Sequence, residues 1–242
     1  MKNEYSRVLL KLSGEALLGK QGFGISQDAA LDVARAVKGL QDSGLQVAIV
    51  IGAGNIFRGI DLHSLGMSQT PADQMGMLAT LLNGIALQEA FKAIGTKAAV
   101  MSALECPKVV ETYQWHRALQ HLENNEIVIF VGGTGNPYFT TDTAAALRAS
   151  EIEADILLKA TKVDGVYDRD PKKDPAAVKY ETITYSRILN DQLNFMDATS
   201  IALCRKNKLP IFVFNMNRLL SEDANELLSD LSHGTLIEEG SQ

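Results

Sequence analysis

The 242-residue sequence is 46% hydrophobic and 21% charged, a composition typical of a globular protein with one large domain or two small ones. The net charge of -6 argues against a general nucleic-acid or anionic-membrane surface, so we expect neither partner. The two cysteines and the scattered histidines predict no disulfide scaffold and no zinc site, and favour a reducing, cytoplasmic compartment. We see no targeting segment and no apolar run of membrane length.

Short apolar runs alternate with helical patterns along the chain. Strands are predicted at residues 7–12, 46–51, 97–101, 127–131, 156–160 and 211–214, and loops at 14–24 and 161–175. Helices are predicted from Ser26 as N-cap to a stop at Gly44, and at 75–94, 113–122, 142–152 and 197–207, before a last helix and a short strand. This alternation predicts an α/β fold with a mainly parallel sheet covered on both faces. Such sheets bind ligands beyond the carboxyl ends of their strands.

Two familiar phosphate-binding patterns begin in this sequence but are not completed. Residues 14–20 have the glycine and lysine spacing of a P-loop, but Gln21 stands where Mg²⁺ binding requires a serine or threonine hydroxyl. Gly52 and Gly54 open like a dinucleotide-binding fingerprint, but Phe57 occupies the place of its third glycine. The sequence therefore predicts neither a P-loop enzyme nor a dinucleotide-binding protein.

Two strand-end loops carry positive charge that suits a phosphate. Lys11 lies inside an apolar strand, a costly place for a charge unless it meets an anion. The alternative is a lysine whose stem follows the strand end while its charge stays in water. Residues 52–55 are small enough for the backbone to approach a phosphate, which Arg58 could clamp with two hydrogen bonds. For the glycines alone, the alternative is a tight surface turn.

Two later loops add polar groups at strand ends. Residues 132–142 follow a buried strand and open a helix, with hydroxyl and N–H groups that suit an anionic or polar ligand. The alternative role for Asp142 in this loop is that of the helix N-cap. Residues 159–171 place lysines and a tyrosine after a strand, with a solvated loop as the alternative. Four such loops at the carboxyl ends of strands together predict one anion-binding site.

Longer motifs carry a resemblance to a known family. They are K-L-S-G-E-A, G-A-G-N with F-R-G, D-x-M-G-M-L-A-T, G-T-G-N-P-Y-F-T-T-D, K-A-T-K-V-D-G-V-Y and F-N-M-N, in this order from residue 7 onward. The sequence resembles the bacterial uridylate kinases of the amino acid kinase superfamily. The resemblance implies a three-layer α/β/α sandwich and a homohexamer. We expect a single domain over residues 1–242, with an acceptor-binding half at about 1–155 and an ATP-binding half at about 156–242.

The resemblance also implies roles for individual residues. The catalytic residues would be Lys11, Arg58 and Asp142, with the carboxylate orienting the cations. ATP would be bound by Lys11, Leu12, Ser13, Gly14, Gly54, Arg58, Thr161, Tyr167 and Asp170. UMP would be bound by Ala53, Asp73, Thr134, Gly135, Asn136, Pro137, Tyr138, Phe139, Thr140 and Thr141. A segment linked to GTP binding in some members matches Gly19, Lys20, Gln21, Gly22, Phe23 and Gly24.

The implied reaction is ATP + UMP → ADP + UDP, a step of pyrimidine nucleotide biosynthesis. The attacking phosphate oxygen is already ionised, so no general base is needed, and the task is to hold negative charge with Lys11, Arg58 and Mg²⁺. We expect Mg²⁺ to be held mainly by the ATP phosphates, without a metal site made by the protein. Ala53 stands where the family often has glycine, and a backbone N–H contact tolerates alanine if its φ is negative. GTP and UTP are candidate regulators.

Other functions stay open on the sequence alone. A kinase of the same fold could act on a carboxylate such as glutamate, acetylglutamate or aspartate, although Asp73 suits sugar hydroxyls better than an anion. A nucleotide-binding oligomer without turnover could dispense with Lys11, Arg58 or Asp142, and the sequence has all three. A purely structural α/β domain would leave Lys11 unexplained. The choice among UMP, CMP and dUMP is also open.

Overall fold

The computed structural model describes residues 5–57, 66–221, 227–228 and 230–239. Its strands are β1 (Arg7–Leu12), β2 (Gln46–Ile51), β3 (Ala98–Ser102), β4 (Glu111–Thr112), β5 (Ile127–Val131), β6 (Ile156–Thr161), β7 (Thr182–Ile183), β8 (Ile211–Asn215) and β9 (Thr235–Ile237). Its helices are α1 (Gln27–Asp42), α2 (Gln69–Ala93), α3 (Trp115–Glu123), α4 (Thr141–Glu151), α5 (Tyr185–Asn190), α6 (Ala198–Asn207) and α7 (Met216–Ser221). Strands and helices alternate over most of this order, as the sequence pattern predicts.

Within the described residues, the nine strands form one sheet in the order β4-β3-β5-β2-β1-β6-β8-β9-β7. Neighbouring strands are parallel except for the antiparallel pair of β8 and β9. The first strand, β1, lies in the centre between β2 and β6. Strands β2 to β5 lie on one side of it, and strands β6 to β9 lie on the other. This reversal at β1 opens a crevice at its carboxyl end, where sheets of this type bind ligands.

The sheet is covered on both faces, and the alternation of side chains along each strand decides which layer a residue meets. Val8, Leu10 and Leu12 of β1 pack in one core with α1 and α2. Leu9 packs in a second core with α4 and α6. All four side chains are fully buried, as expected for a central strand of a parallel sheet. The predicted three-layer α/β/α sandwich with a mainly parallel sheet is therefore confirmed.

The structure differs from the predicted elements at a few positions. The helix predicted from residue 75 begins at Gln69, because Pro71 lies in the first turn of α2, where N–H groups have no helical acceptor. The short elements β4, β7 and α5 were not predicted, since so few residues carry no readable periodicity. The predicted loop after β1 begins with a 3-10 turn over Gly14–Leu17, capped by Ser13.

Candidate active site

The centre of the candidate site is a carboxylate held between two lysines. Lys11 of β1 and Lys159 of β6 are register partners on adjacent strands, and each lies two positions after a leucine that faces the α4 core. Both side chains therefore point to the same face of the sheet. The Nζ atoms of Lys11 and Lys159 lie 2.7 Å and 2.5 Å from the two carboxylate oxygens of Asp142, in the first turn of α4. The charge that Lys11 brings into an apolar strand thus meets an anion of the protein itself.

Burial and charge act in opposite directions on this cluster, whose side chains are 7–14% exposed. Burial would raise the pKa of Asp142, but the positive charges of Lys11 and Lys159 outweigh it and hold that pKa below its ordinary value. Burial also lowers the pKa of Lys159; the carboxylate of Asp142 opposes this change, and the charge of Lys11 adds to it. Asp142 is therefore ionised at neutral pH, and its carboxylate pairs with the ammonium groups of Lys11 and Lys159.

The turn that carries Asp142 is held by hydrogen bonds to the start of α6, a helix that is distant in sequence. Thr140 is the N-cap of α4, and its hydroxyl accepts from the N–H groups of Asp142 at 3.0 Å and Thr143 at 3.4 Å. The alternative that Asp142 is the N-cap is wrong, because its carboxylate is bound to the lysines. Asp197, the N-cap of α6, accepts from the hydroxyls of Thr140 at 2.6 Å and Thr143 at 2.9 Å. The two helix starts are thereby joined.

The loop after β2 lies closely against the turn after β1. A Cβ added to Gly14 would lie 2.3 Å from Oδ1 of Asn55 and 2.6 Å from the carbonyl oxygen of Gly52, so only glycine permits this approach. Ala53 is not among the described non-glycine residues with positive φ. Alanine can therefore replace the glycine that the family often has at this position without strain in the backbone. Arg58, predicted to be catalytic and to bind ATP, lies outside the described residues.

The loop predicted to bind UMP is joined to α2 through Asp73. Oδ2 of Asp73 accepts from the N–H of Tyr138 at 2.7 Å, and Oδ1 accepts from Nε2 of Gln69 at 2.7 Å. The side chains of Tyr138 and Phe139 are 73% and 48% exposed beside this contact. The rest of the loop runs from β5 into α4 and comprises Thr134, Gly135, Asn136, Pro137, Thr140 and Thr141. The structure thus brings together Asp73 and the loop that were assigned to one ligand.

A cleft opens beside the lysine cluster. A part of about 770 Å³ has on its wall Lys11, Ser13, Lys159 and Thr161. An adjoining part of about 680 Å³ has on its wall Thr161, Tyr167 and Asp170. Thr161 lines both parts, so most of the side chains predicted to bind ATP face these two adjoining parts. The volume of each part is in the range of small-molecule and cofactor sites.

Three other residues predicted to bind ATP are not on the wall of this cleft. Leu12 is fully buried, and its carbonyl oxygen accepts the N–H of Gly52 at 2.9 Å. Gly14 is also buried, and Gly54 lies next to the 3-10 turn. A ligand could reach these three only through backbone groups, because no side chain of theirs faces the cleft.

The segment predicted to bind GTP lies at the rim of the cleft. Gly19 lines the part next to Lys11, and residues 20–23 are exposed. The N–H of Gly24 donates to the carbonyl oxygen of Asn55 at 2.9 Å, which joins this segment to the loop after β2.

The structure adds residues that sequence reasoning missed. Lys159 received no role, although it carries the same signal as Lys11, a charge within an apolar strand. Asp197 was seen only as a helix start. On α2, the hydroxyl of Thr80 accepts from the N–H of Gly132 at 2.7 Å, and Asn83 is fully buried beside the loop after β2. A polar residue in the apolar stretch of a helix is the signal that could have identified these two.

The carboxylates of the site are already engaged by the protein. Asp142 binds the two lysines, and Asp197 accepts from two hydroxyls. In the part of the chain that the structure describes, no group of three or more His, Cys, Asp or Glu side chains could hold a metal ion. None of the described helices has the length and apolar character needed to cross a membrane.

The sequence is similar to known proteins over most of its length. The sequence profile of the amino acid kinase family matches residues 6–215. A uridylate kinase of Protochlamydia amoebophila is 62% identical over 234 residues, which are 97% of this chain and 93% of the relative. A uridylate kinase of Magnetococcus marinus is 56% identical over 210 residues, 87% of each chain.

Solved structures agree as well. The crystal structure of a UMP kinase from Bacillus anthracis superposes with a TM-score of 0.90 at 35% identity, covering 98% of this chain and 97% of that chain. A UMP kinase from Ureaplasma parvum gives a TM-score of 0.89 at 37% identity, covering 98% and 100%. Since the family profile and the relatives each span most of the sequence, this chain belongs to the amino acid kinase family.

Proposed function

We propose that this protein is an enzyme that transfers the γ-phosphoryl group of ATP to UMP and forms ADP and UDP. The observation that carries the proposal is the lysine pair, Lys11 and Lys159, held side by side by Asp142 next to a cleft of nucleotide size. The pair lies at the switch point of the sheet, where ligands of this fold class bind. The names of the two curated relatives, both uridylate kinases, support UMP as the acceptor.

The reaction requires stabilisation of negative charge on the phosphates rather than transfer of a proton. The attacking oxygen of UMP is already ionised, and negative charge spreads over the transferred phosphoryl oxygens in the transition state. Lys11 and Lys159 would place two positive charges at that position, and Asp142 would fix their direction without accepting a proton. Arg58, which the family resemblance also makes catalytic, would add a further positive charge. Because the protein already holds these charges in place, they need not reorient when the transition state forms, and no free energy is lost in doing so.

The two substrates would occupy the two halves of the chain. The nucleoside of ATP would lie in the part of the cleft lined by Thr161, Tyr167 and Asp170, within the half at about 156–242. UMP would lie in the half at about 1–155, against the loop after β5, with Asp73 facing the ribose hydroxyls. The phosphates would then meet over the lysine pair. The backbone N–H groups of Ala53 and Gly54 would contribute contacts from the loop after β2.

Mg²⁺ would be bound chiefly by the ATP phosphates. When bound, it would supply positive charge that stabilises the negative charge of the phosphates. Asp142 and Asp197 are the carboxylates of the site that could help to hold the ion. GTP and UTP are candidate regulators, with Gly19–Gly24 as the GTP segment, and a homohexamer is the expected assembly; these rest on the family resemblance. The free cysteines Cys106 and Cys204 support a reducing, cytoplasmic location.

The test is ADP release from ATP and Mg²⁺ with UMP, CMP, dUMP, AMP and N-acetylglutamate offered separately. We expect turnover with UMP and at least ~10-fold lower kcat/KM with the other nucleotides, because unmatched hydrogen-bonding groups of a ligand are costly to bury. Turnover with N-acetylglutamate but not UMP would favour the carboxylate kinase. Folded protein that binds ATP but turns over none of the five would refute the proposal and favour a nucleotide-binding oligomer.

A further inference from the structure

A pair of buried asparagines lies behind the loop after β2. Asn55 of the loop and Asn83 of α2 are 1% and 0% exposed. Each side-chain Nδ2 donates to the other's Oδ1 at 2.8 Å. The second N–H of each amide is also used, since Nδ2 of Asn55 donates to the carbonyl of Gly24 at 3.0 Å and Nδ2 of Asn83 donates to the carbonyl of Gly52 at 2.7 Å. The four amide hydrogens are thus all bound within the protein.

This amide pair contacts three segments that border the site. It binds the carbonyl of Gly52 in the loop after β2 and the carbonyl of Gly24 in the rim segment. It also lies against Gly14, where an added Cβ would come 2.3 Å from Oδ1 of Asn55. Asn83 reaches the loop because Gly84 lets α2 approach the sheet: a Cβ there would lie 2.4 Å from Cγ1 of Val131. One buried contact therefore sets how these segments sit relative to α2.

The bond from Asn83 also fixes the direction of an N–H group in the site. The carbonyl of Gly52 and the N–H of Ala53 belong to the same trans peptide plane and point in opposite directions. Holding that carbonyl against Asn83 therefore turns the N–H of Ala53 away from α2. Among the described residues, no acceptor takes the N–H groups of Ala53 and Gly54. Successive unpaired N–H groups of this kind suit an anion.

We infer that Asn83 is a positioning residue for phosphoryl transfer, which orients the N–H group of Ala53 through its bond to the Gly52 carbonyl. This inference rests on the proposed function of the site. Asn83 is fully buried, so it cannot touch a substrate, and any effect on kinetics must pass through the loop. An apolar side chain could fill the same volume but could not hold the Gly52 carbonyl in one direction.

The test compares Asn83→Ala with Leu87→Ala, a matched variant at another fully buried position of α2 that packs only in the apolar core. Both should lower Tm, so kcat and KM for ATP and UMP are measured well below both transitions. We expect Asn83→Ala to lower kcat/KM for UMP by at least ~10-fold, the cost of one misplaced donor being of this order or larger. Leu87→Ala should stay within about twofold of wild type. Equal kinetics in the two variants would overturn the inference.

Asn83→Asp keeps the inference testable should Asn83→Ala not fold. Its charged carboxylate cannot donate to the Gly52 carbonyl, whereas its protonated form can. The ratio of its kcat/KM to that of wild type should therefore rise as the pH is lowered, and a ratio that does not change with pH would contradict the role. Wild-type turnover with UMP is measured first, because its absence refutes the proposed function alone. If wild type uses another acceptor, the same ratios with that acceptor still test Asn83.

Discussion

Replacing Asp142 by asparagine removes one negative charge from between two buried lysines while leaving the shape of the side chain almost unchanged. Lys11 and Lys159 would then face each other with no anion between them. Removing one partner of a buried ion pair costs about 3–5 kcal/mol, because the remaining charge is left without compensation. For a chain of this length each kcal/mol corresponds to about 2–4 °C in Tm, so we expect a decrease of about 6–20 °C.

The activity should fall for the same electrostatic reason. The carboxylate of Asp142 raises the pKa of Lys159 against burial and the charge of Lys11, so its loss lowers that pKa further. A lysine that loses its proton no longer stabilises the transferred phosphoryl group. We expect Asp142→Asn to lower kcat/KM by at least ~100-fold, or about 2.7 kcal/mol. Because acid returns the proton, the ratio of variant to wild-type activity should rise as the pH is lowered.

The assay is coupled ADP release with ATP and UMP over a pH series, with thermal melting of both proteins in the same buffers. The pKa of Asp142 is lowered in the folded state, so its ion pairs stabilise the protein above the unfolded value near 3.8 and lose this effect as the pH falls through the folded value. The difference in Tm should therefore shrink in acid. The control is Asp42→Asn, which removes an exposed carboxylate paired with Lys38 and should shift Tm by less than about 4 °C. Near-normal kcat/KM and Tm in Asp142→Asn would refute the organising role of this carboxylate.

Three further measurements test other parts of the structure. Lys11→Ala should lower kcat/KM by at least ~100-fold, and near-normal turnover would exclude Lys11 from catalysis. Gly14→Ala should destabilise the protein by about 1–3 kcal/mol in urea unfolding, because its Cβ would lie 2.6 Å from the carbonyl oxygen of Gly52; Gly76→Ala, with no atom within 4 Å of its Cβ, should not destabilise it. Burial raises the pKa of Cys204 to about 12, so this thiol should react with a disulfide reagent only in denatured protein, and fast reaction in native protein would contradict its burial.

Much of the fold could be predicted because its signals are local. The central strands are short runs rich in apolar residues, and α1 has both its N-cap, Ser26, and its terminating glycine, Gly44, in the sequence. The short strands β4 and β7 could not be predicted, because two residues have no period and pair only once a neighbouring strand is in place. The start of α2 was placed too late since Pro71 reads as an interruption unless the helix start is known.

Within the site, local sequence features indicate which loops are candidates for binding a ligand. A lysine in an apolar strand is unfavourable without a ligand or a partner, and runs of small residues at strand ends allow a ligand to approach the backbone; both features are visible in the sequence. The sequence could not determine that Lys159 lies beside Lys11, since 148 positions separate them and only the register of β1 with β6 joins them.

The packing of distant segments also settles which polar groups find a hydrogen-bond or ion-pair partner within the protein. The carboxylate of Asp142 binds two lysines instead of capping α4, and Thr140 is the N-cap of that helix. Asp197, the N-cap of α6, accepts a hydrogen bond from the hydroxyl of Thr140. Asn83 is buried against a loop 28 residues earlier in the chain. These contacts join residues that are far apart in sequence, and local propensity carries no information about such partners. They form because a buried charge or amide must find a partner wherever the packed chain brings one within reach.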